Sequence, residues 1–280
     1  MKIAIVGAGP AGLFLGKTLR EDVVIYEREK KLGMKPCSWV VLSSIENFVE
    51  IKASEILFKI KGYRIFLDNK LIHEIYSDQP FAYIIDKVEF LERLAEGQEI
   101  MKEFGKIHGK HVNDKEYDVV VDARGYQSLS GGTVQAIQYD TSYKAEEEVL
   151  NSYFYSDFIG YGWVFPGPQG SRIGIGGDAP FQVLNERLNY LLKGEKLSYG
   201  VARISIGGIR EGSYVGEAGG AVFPITGEGI RPSIMHAYLM SKVIKGESPN
   251  IIKSSILNKI INAHLDFINK AKNTEHPGSK

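Results

Sequence analysis

Three glycines directly after the first predicted strand constrain this chain more than any other feature. Residues 2–6, KIAIV, are a short apolar run typical of a buried parallel strand. Gly7, Gly9 and Gly12 follow at GxGxxG spacing. The first permits a tight turn, the second lets the backbone approach a pyrophosphate, and the third lets a helix pack closely on the strand. A helical run follows from Ala11, and the free N–H groups and dipole at its start favour phosphates.

A second apolar strand, VVIYE, ends in Glu27, whose carboxylate can accept hydrogen bonds from ribose hydroxyls. Strand, glycines, helix, strand and terminal acid in this order predict a dinucleotide site rather than a purely structural glycine turn. The unit by itself does not separate NAD from FAD.

Composition narrows the class of protein. A chain of 280 residues can form one large or two small domains. Lysine plus arginine and aspartate plus glutamate number 34 each, so no global field attracts nucleic acid. The single cysteine, Cys37, excludes an intrachain disulfide and suits a reducing compartment. With no signal-peptide or membrane-span pattern and no metal-ligand cluster, we expect a cytoplasmic, metal-free protein.

Two later segments extend the prediction beyond the first unit. Residues 117–128, YDVVVDARGYQS, form a buried strand that ends at Asp122 and Ala123, with Gly125 permitting a sharp exit. Taken alone, this segment fits any strand-to-turn transition in an α/β protein equally well.

The second of these segments, residues 214–230, reads YVGEAGGAVFPITGEGI and leads into a helix. Gly229 and Ile230 present backbone N–H groups at the start of that helix, where they could stabilise negative charge around N1 and O2 of a reduced isoalloxazine. Glu217 would meet the ribityl chain or a neighbouring hydroxyl. A simple glycine-capped helix explains the backbone, but it leaves the number of glycines in the segment unexplained.

Together the three segments resemble the FAD motifs of the flavoprotein group that includes p-hydroxybenzoate hydroxylase and the geranylgeranyl reductases. Residues 161–176, YGWVFPGPQGSRIGIG, are similar to the YxWxFP, seven residues, GxG pattern of the geranylgeranyl reductases. Residues 35–37, KPC, resemble that family's KxCG segment, and residues 82–96 resemble its stretch after the substrate-lobe strands. The similarity runs over almost the whole chain, which is shorter than typical members.

The resemblance implies an α/β protein with a two-lobed α+β arrangement: a Rossmann-like FAD-binding lobe and a mostly antiparallel β-sheet substrate lobe, as in p-hydroxybenzoate hydroxylase. Lys87 stands where the family usually has arginine, Glu217 where most of the group has aspartate, and Ser38 where a glycine follows the cysteine. The residues expected to bind FAD are Gly7, Gly9, Ala11, Gly12, Glu27, Cys37, Lys87, Ala123, Glu217, Gly229 and Ile230.

We expect a discontinuous FAD lobe at residues 1–42, 86–130 and 208–248, with the substrate lobe at 43–85 and 131–207. A C-terminal amphipathic helix is predicted over 249–272, followed by a disordered tail at 273–280. Its apolar face is expected to pack on its own protein, with a membrane-surface role as the alternative; the residues of that face are Ile252, Ile256, Ile260, Ala263 and Phe267.

Alternating residues suggest where a substrate would bind. Tyr161, Trp163 and Phe165 share one face of a predicted strand, and Gly174 and Gly176 alternate on the returning strand. They would line a flat apolar slot, or alternatively form an aromatic core hairpin.

The resemblance places Cys37 near the isoalloxazine. Three roles remain open for it: proton donor, packing residue, or a flavin contact without chemistry. Lys35 and Tyr161 are alternative proton sources.

The predicted function is reduction of carbon–carbon double bonds of a geranylgeranyl or related isoprenoid lipid, by hydride transfer from N5 of reduced FAD. The alternatives are a flavin-dependent monooxygenase and a truncated FAD-binding paralogue without prenyl reductase activity. The expected partners are an apolar isoprenoid substrate and an unidentified electron donor, with no nucleic acid. Peripheral membrane contact is left open.

Overall fold

A computed structural model describes residues 1–20, 22–129 and 132–275. The chain divides into two compact units. The first unit comprises Met1–Met34, Leu91–Thr133 and Ser205–Lys280, and the second comprises Lys35–Phe90 and Val134–Ile204.

The α-helices and strands have the following bounds. The helices are α1 (Pro10–Leu19), α2 (Lys87–Ala95), α3 (Phe181–Leu191), α4 (Ile230–Ile244), α5 (Asn250–Ser254) and α6 (Ile256–Glu275). The strands are β1 (Lys2–Val6), β2 (Asp22–Tyr26), β3 (Val40–Leu42), β4 (Ile56–Ile60), β5 (Gly62–Leu67), β6 (Lys70–Tyr76), β7 (Ala82–Ile85), β8 (Glu99–Met101), β9 (Ile107–His108), β10 (His111–Val112), β11 (Lys115–Glu116), β12 (Val119–Asp122), β13 (Thr133–Thr141), β14 (Val149–Phe154), β15 (Gly160–Gly167), β16 (Gly170–Gly177) and β17 (Lys196–Ser205).

The first unit is built on a parallel sheet with strand order β12–β1–β2–β8. Its central strand β1 is buried from Ile3 to Val6, as its unbroken apolar run predicts. Helix α1 packs against α4. A small three-stranded sheet of order β11–β10–β9 completes the strands of this unit. This is the Rossmann-like arrangement expected from the glycine motif.

The second unit contains a seven-stranded sheet of order β17–β13–β16–β15–β14–β5–β6. The pairs β13–β16, β16–β15, β15–β14 and β5–β6 are antiparallel, and β14 runs parallel to β5. A three-stranded antiparallel sheet of order β3–β7–β4 accompanies it. The β5–β6 hairpin turns at Asp68 and Asn69, whose φ angles of 46° and 65° match the two left-handed positions of a type I′ turn. The mostly antiparallel second sheet is therefore confirmed.

The unit boundaries differ from the predicted lobe boundaries at several places; residues 132–133 and 205–207, for example, fall in the first unit although the substrate lobe was expected to include them. Residues 35–42 and 86–90 fall in the second unit, although the FAD lobe was expected to include them. Strand β3 pairs with β7, which immediately precedes residue 86, so strand pairing draws both segments into the same unit. The predicted boundary between residues 130 and 131 lies outside the described residues.

The predicted C-terminal helix is interrupted. At Ser255 the backbone becomes extended (φ −66°, ψ 156°), and its hydroxyl accepts a hydrogen bond from the Asn258 N–H at 3.2 Å. The chain therefore forms α5 and then α6, which continues through Glu275 rather than ending at 272. Residues 276–280 of the predicted tail lie outside the described residues.

The expected packing face of this helix is also wrong in α6. Ile256 and Phe267 are 62% and 63% exposed, whereas Leu257, Ile261 and Ile268 are buried. A new helix starts after the break at Ser255, so Ile252 and Ile256 do not lie on one continuous helical face despite their i, i+4 spacing. Along the described ranges, no helix combines the length and apolar content that a bilayer span requires.

The core of the second unit yields a test at two alternating glycines. A Cβ at Gly174 would lie 2.2 Å from Trp163 Cζ2 and 2.6 Å from the Ile137 carbonyl oxygen, whereas at Gly176 the nearest atoms would be 3.2 Å away. Because overpacking costs about 1–3 kcal/mol, Gly174→Ala should lower the free energy of unfolding by about 2 kcal/mol and Gly176→Ala by less than about 1 kcal/mol. Urea unfolding followed by circular dichroism measures both. Equal losses would show that the indole does not occupy the space over Gly174.

Candidate functional site

The glycine motif forms a turn that only glycine can occupy. Gly7 has a φ of 117°, and a Cβ there would lie 2.4 Å from the Ala123 carbonyl oxygen. A Cβ at Gly12 would lie 2.0 Å from the carbonyl oxygen of Gly7. The turn therefore packs directly on the end of β12 and on the first turn of α1, as the roles of the first and third motif glycines require.

The middle glycine of the motif faces open space. Among the described residues, no heavy atom other than those of Gly9 and its two chain neighbours lies within 4 Å of the position where a Cβ at Gly9 would stand. Gly9 is also the N-cap of α1, and as a glycine it has no side chain that could cap the helix. The N–H groups at the start of α1 thus face a gap of the kind that a pyrophosphate fills.

Glu27 is held next to the glycine turn by two backbone hydrogen bonds. Its Oε2 accepts a hydrogen bond from the Ala8 N–H and its Oε1 one from the Glu29 N–H, both at 2.8 Å. A carboxylate has about four acceptor positions, so each oxygen retains capacity for a hydroxyl group.

The second sequence segment contributes a rigid ion pair. Arg124 donates from Nη2 to Asp122 Oδ2 at 2.7 Å, and Ser128 donates its hydroxyl to Asp122 Oδ1 at 2.7 Å. Burial acts to raise the pKa of Asp122, but these hydrogen bonds outweigh it and hold the pKa below its ordinary value. The carboxylate fixes the turn that carries Ala123 and Gly125.

The third segment meets the other two inside the first unit. Glu217 accepts a hydrogen bond from the Ser205 N–H at 3.1 Å, and its other oxygen would lie 3.1 Å from a Cβ at Gly125. A Cβ at Gly216 would lie 2.5 Å from the Ala11 Cβ. Residues far apart in sequence are thus brought together around the glycine turn.

Helix α4 begins as predicted, with Gly229 as N-cap and Ile230 as its first residue. Pro232 lies in the first turn, where a missing N–H removes no helical hydrogen bond. Glu228 and Arg231 form a two-pronged pair at this end, with Nε to Oε1 at 2.7 Å and Nη2 to Oε2 at 2.8 Å.

Two of the residues predicted to bind cofactor lie in the second unit, namely Cys37 and Lys87. Cys37 Sγ accepts a hydrogen bond from the Trp39 N–H at 3.3 Å. Lys87 is 5% exposed, and its Nζ donates to the Lys35 carbonyl oxygen at 2.6 Å. Burial lowers the pKa of Lys87 below its ordinary value. The other predicted cofactor residues belong to the first unit.

The predicted substrate residues form part of a packed core. Trp163 and Phe165 are 7% and 5% exposed and pack with Ile60, Ile84 and Leu150, while Tyr161 is half-buried beside them. The space over Gly174, expected to admit a ligand, holds the Trp163 indole instead. The aromatic core hairpin therefore describes this structure, and contact of these residues with a substrate stays a prediction.

Sequence reasoning gave no role to Arg172 or Trp39. The Arg172 guanidinium carbon lies 3.4 Å from the centre of the Trp39 ring, and its Nε lies 3.0 Å from Asp140 Oδ1. Trp39 has a φ of 66°, which is rare for a bulky residue. The sequence signal for this cluster is the arginine of SRIGIG, a single charged residue in a predicted strand that otherwise carries serine, isoleucine and glycine.

At the level of sequence, no family model and no curated protein matches the chain. Solved structures share its fold. A geranylgeranyl bacteriochlorophyll reductase-like protein from Thermoplasma acidophilum has a TM-score of 0.75 and 20% identity, covering 96% of this chain and 83% of that one. A flavin-dependent halogenase from Xanthomonas campestris has a TM-score of 0.68 and 15% identity, covering 96% and 76%. A flavoprotein/dehydrogenase from Cytophaga hutchinsonii has a TM-score of 0.66 and 14% identity, covering 99% and 87%.

These likenesses, together with the parallel sheet of the first unit and the antiparallel sheet of the second, confirm the predicted fold class.

A buried histidine lies beneath the third segment. His236, on α4, is fully buried, and a Cβ at Gly219 would lie 2.4 Å from its Cε1. Neither ring nitrogen makes a well-formed hydrogen bond within the described residues. Burial lowers the pKa of His236 to about 4, with a weaker opposing effect from the Gly216 backbone.

This histidine predicts a loss of stability in mild acid. The reference pKa is 6.5 and the folded value is about 4. As pH falls through that window, the unfolded chain binds a proton that the folded chain does not, so the free energy of unfolding falls. We expect a loss of about 2 kcal/mol between about pH 7.5 and about pH 5. His236→Leu should remove this component in urea unfolding, while His73→Gln on the exposed strand β6 should keep it. A wild-type slope retained in His236→Leu would contradict the assignment.

Proposed function

We propose that the first unit binds FAD and that the protein is an FAD-dependent oxidoreductase. The observation that carries this proposal is the meeting of three sequence segments around the glycine turn, with open space over Gly9. Glu27 and Glu217 supply carboxylate oxygens from the first and third segments, and a Cβ at Gly125 of the second segment would lie 3.1 Å from a Glu217 oxygen.

FAD suits this arrangement better than NAD. A nicotinamide dinucleotide binds across two βαβαβ halves of one parallel sheet, whereas the parallel sheet described here has four strands. Here the third segment meets the first βαβ unit, where a Cβ at Gly216 would lie 2.5 Å from the Ala11 Cβ, and it meets the second segment, where a Cβ at Gly125 would lie 3.1 Å from a Glu217 oxygen. Helix α4 adds a second N-terminus whose dipole favours negative charge. Such additional contacts fit the longer flavin dinucleotide.

A matched glycine pair tests the cofactor. Gly9→Ala meets no protein atom, so it should leave the stability of the cofactor-free protein unchanged and lower FAD affinity by at least about tenfold, because the methyl group occupies the pyrophosphate position. Gly12→Ala clashes with the Gly7 backbone and should lower the melting temperature even without FAD. Flavin absorbance after reconstitution and differential scanning fluorimetry measure the two effects. Normal FAD binding by Gly9→Ala would argue against this site.

Within that class, we propose reduction of carbon–carbon double bonds of a geranylgeranyl or related isoprenoid lipid. The YxWxFP and GxG segment supports it, as does the geranylgeranyl bacteriochlorophyll reductase-like protein among the structures of the same fold. Reduced flavin supplies a hydride from N5 when bound. The chain would contribute a dry apolar face and a proton from Cys37, Lys35 or Tyr161.

Two alternatives rest on specific observations. Structures of the same fold include a flavin-dependent halogenase and a peptidyl tryptophan dihydroxylase, which favours oxygen-dependent chemistry as the second candidate. The packed state of the aromatic face favours the third candidate, an FAD-binding protein without prenyl reductase activity.

Anaerobic photoreduction tests the reaction. The FAD-loaded protein is reduced by light, then mixed with geranylgeranyl compounds, and flavin absorbance and product mass are followed. We expect reoxidation with a mass gain of two hydrogens per double bond reduced. Reoxidation by oxygen alone with a hydroxylated product would support the monooxygenase. Reduced flavin that no prenyl compound reoxidises would leave the non-catalytic paralogue.

A further inference from the structure

One face of the seven-stranded sheet brings together polar residues and the predicted substrate residues. Gln138 on β13 pairs with Gly174 on β16, which pairs with Trp163 on β15. One step along, Asp140 pairs with Arg172, which pairs with Phe165. Residues paired across antiparallel strands, and residues two apart along a strand, share one face. Arg172 and Gln138 therefore stand beside Trp163 on the same face.

Four buried polar atoms on this face lack a hydrogen-bond partner among the described residues. They are Arg172 Nη1, Trp163 Nε1, Gln138 Oε1 and Asp140 Oδ1, the last of which lies 3.0 Å from Arg172 Nε as an ion pair. A buried polar atom without a partner costs about 1–3 kcal/mol, so folded proteins rarely tolerate several together. Two of these atoms are donors and two are acceptors; the ion pair compensates the Asp140 oxygen and leaves the two donors and the Gln138 oxygen for a polar ligand group.

The charge on this face is partly uncompensated. Arg172 is 2% exposed and uses only Nε for Asp140, whose other oxygen accepts the Ser198 hydroxyl at 2.6 Å. Lys87 is a second buried cation, close enough that Arg172 helps to lower its pKa. The acid nearest on the chain, Asp86, already accepts hydrogen bonds from the Val88 and Glu89 N–H groups. An incoming anion would pair with Arg172 without displacing the Asp140 contact.

Trp39 covers this position. Its ring lies against the guanidinium group, its backbone holds a left-handed φ of 66°, and it is only half-buried. A half-buried side chain on strained backbone can move away at lower cost than a core residue. Displacement of this ring would uncover the Arg172 fork.

We propose that this face holds an oxyanion end group, a phosphate or a carboxylate, of an otherwise apolar ligand, with Arg172 as the main contact and Trp39 as its cover. The inference rests on the proposed function in one respect: the ligand is taken to be its substrate. Arg172 Nη1 and Trp163 Nε1 donate to the oxyanion, and Gln138 Oε1 accepts from a protonated oxygen or a bound water.

Saturated amphiphiles test this independently of any reduction. Dodecyl phosphate, dodecanoate and dodecanol, each below its micelle concentration, are titrated into FAD-loaded wild-type protein by calorimetry. A charge-assisted hydrogen bond corresponds to roughly tenfold or more in affinity, so at least one anion should bind about tenfold tighter than the alcohol. The two anions distinguish phosphate from carboxylate. Equal affinity for all three compounds would overturn the proposal.

Variants locate the contact. Arg172→Met should lower anion affinity by at least about tenfold and change dodecanol affinity less than about twofold. Arg172→Lys keeps the positive charge but loses the planar guanidinium group, so its anion affinity should lie between those of wild type and Arg172→Met. Arg203→Met, which removes an exposed cation from β17, should bind like wild type. If Arg172→Met does not fold, the comparison of the anions with dodecanol in wild type and the anion affinity of Arg172→Lys still test the proposal. An unchanged anion preference in Arg172→Lys and Arg172→Met would assign the anion elsewhere.

The outcome is separable from that of the proposed function. Anion preference lost in Arg172→Met without any prenyl reduction would keep the subsite and reject the reductase. Prenyl alcohols reduced by a protein that shows no anion preference would do the reverse.

Discussion

The approach of the Gly7 turn to the Ala123 carbonyl is the contact on which the first unit depends. A side chain at Gly7 would stand 2.4 Å from that oxygen, so the first and second segments can be this close only with a bare backbone. The same closeness aligns β1 with β12 and leaves the start of α1 facing open space. A single backbone packing requirement thus couples the pairing of β1 with β12 to the position of α1.

The second unit obeys a different constraint. Its central strands carry alternating aromatic and glycine residues, and the indole of Trp163 fills what Gly174 leaves empty. The aromatic residues of these strands are tightly packed, but Arg172 Nη1 and Gln138 Oε1 on the same face have no hydrogen-bond partner among the described residues. This face differs from an ordinary core, in which polar groups are absent or fully hydrogen-bonded.

Local patterns were the part of the structure that sequence could supply. The glycine motif and the start of α4 at Ile230 each depend on a few neighbouring residues. The predicted apolar face of α6 was wrong because the helix breaks at Ser255, whose hydroxyl accepts a hydrogen bond from the Asn258 N–H, although the apolar spacing continues across this residue. The Arg172 cluster was missed because it depends on pairing between β13 and β16, which lie far apart in sequence. The space over Gly174 was misjudged for the same reason: alternation shows which face a residue occupies and not which neighbour fills it.

Glu27 shows how little rearrangement ligand binding would require at one end of the first unit. Both of its carboxylate oxygens are anchored by backbone N–H groups, so its rotamer is set by the fold. Ordering a free glutamate side chain costs about 1.5–2 kcal/mol of conformational entropy. Because folding has already absorbed that term, the carboxylate is a rigid acceptor, and a hydroxyl-bearing ligand bound there would require no induced adjustment of this side chain.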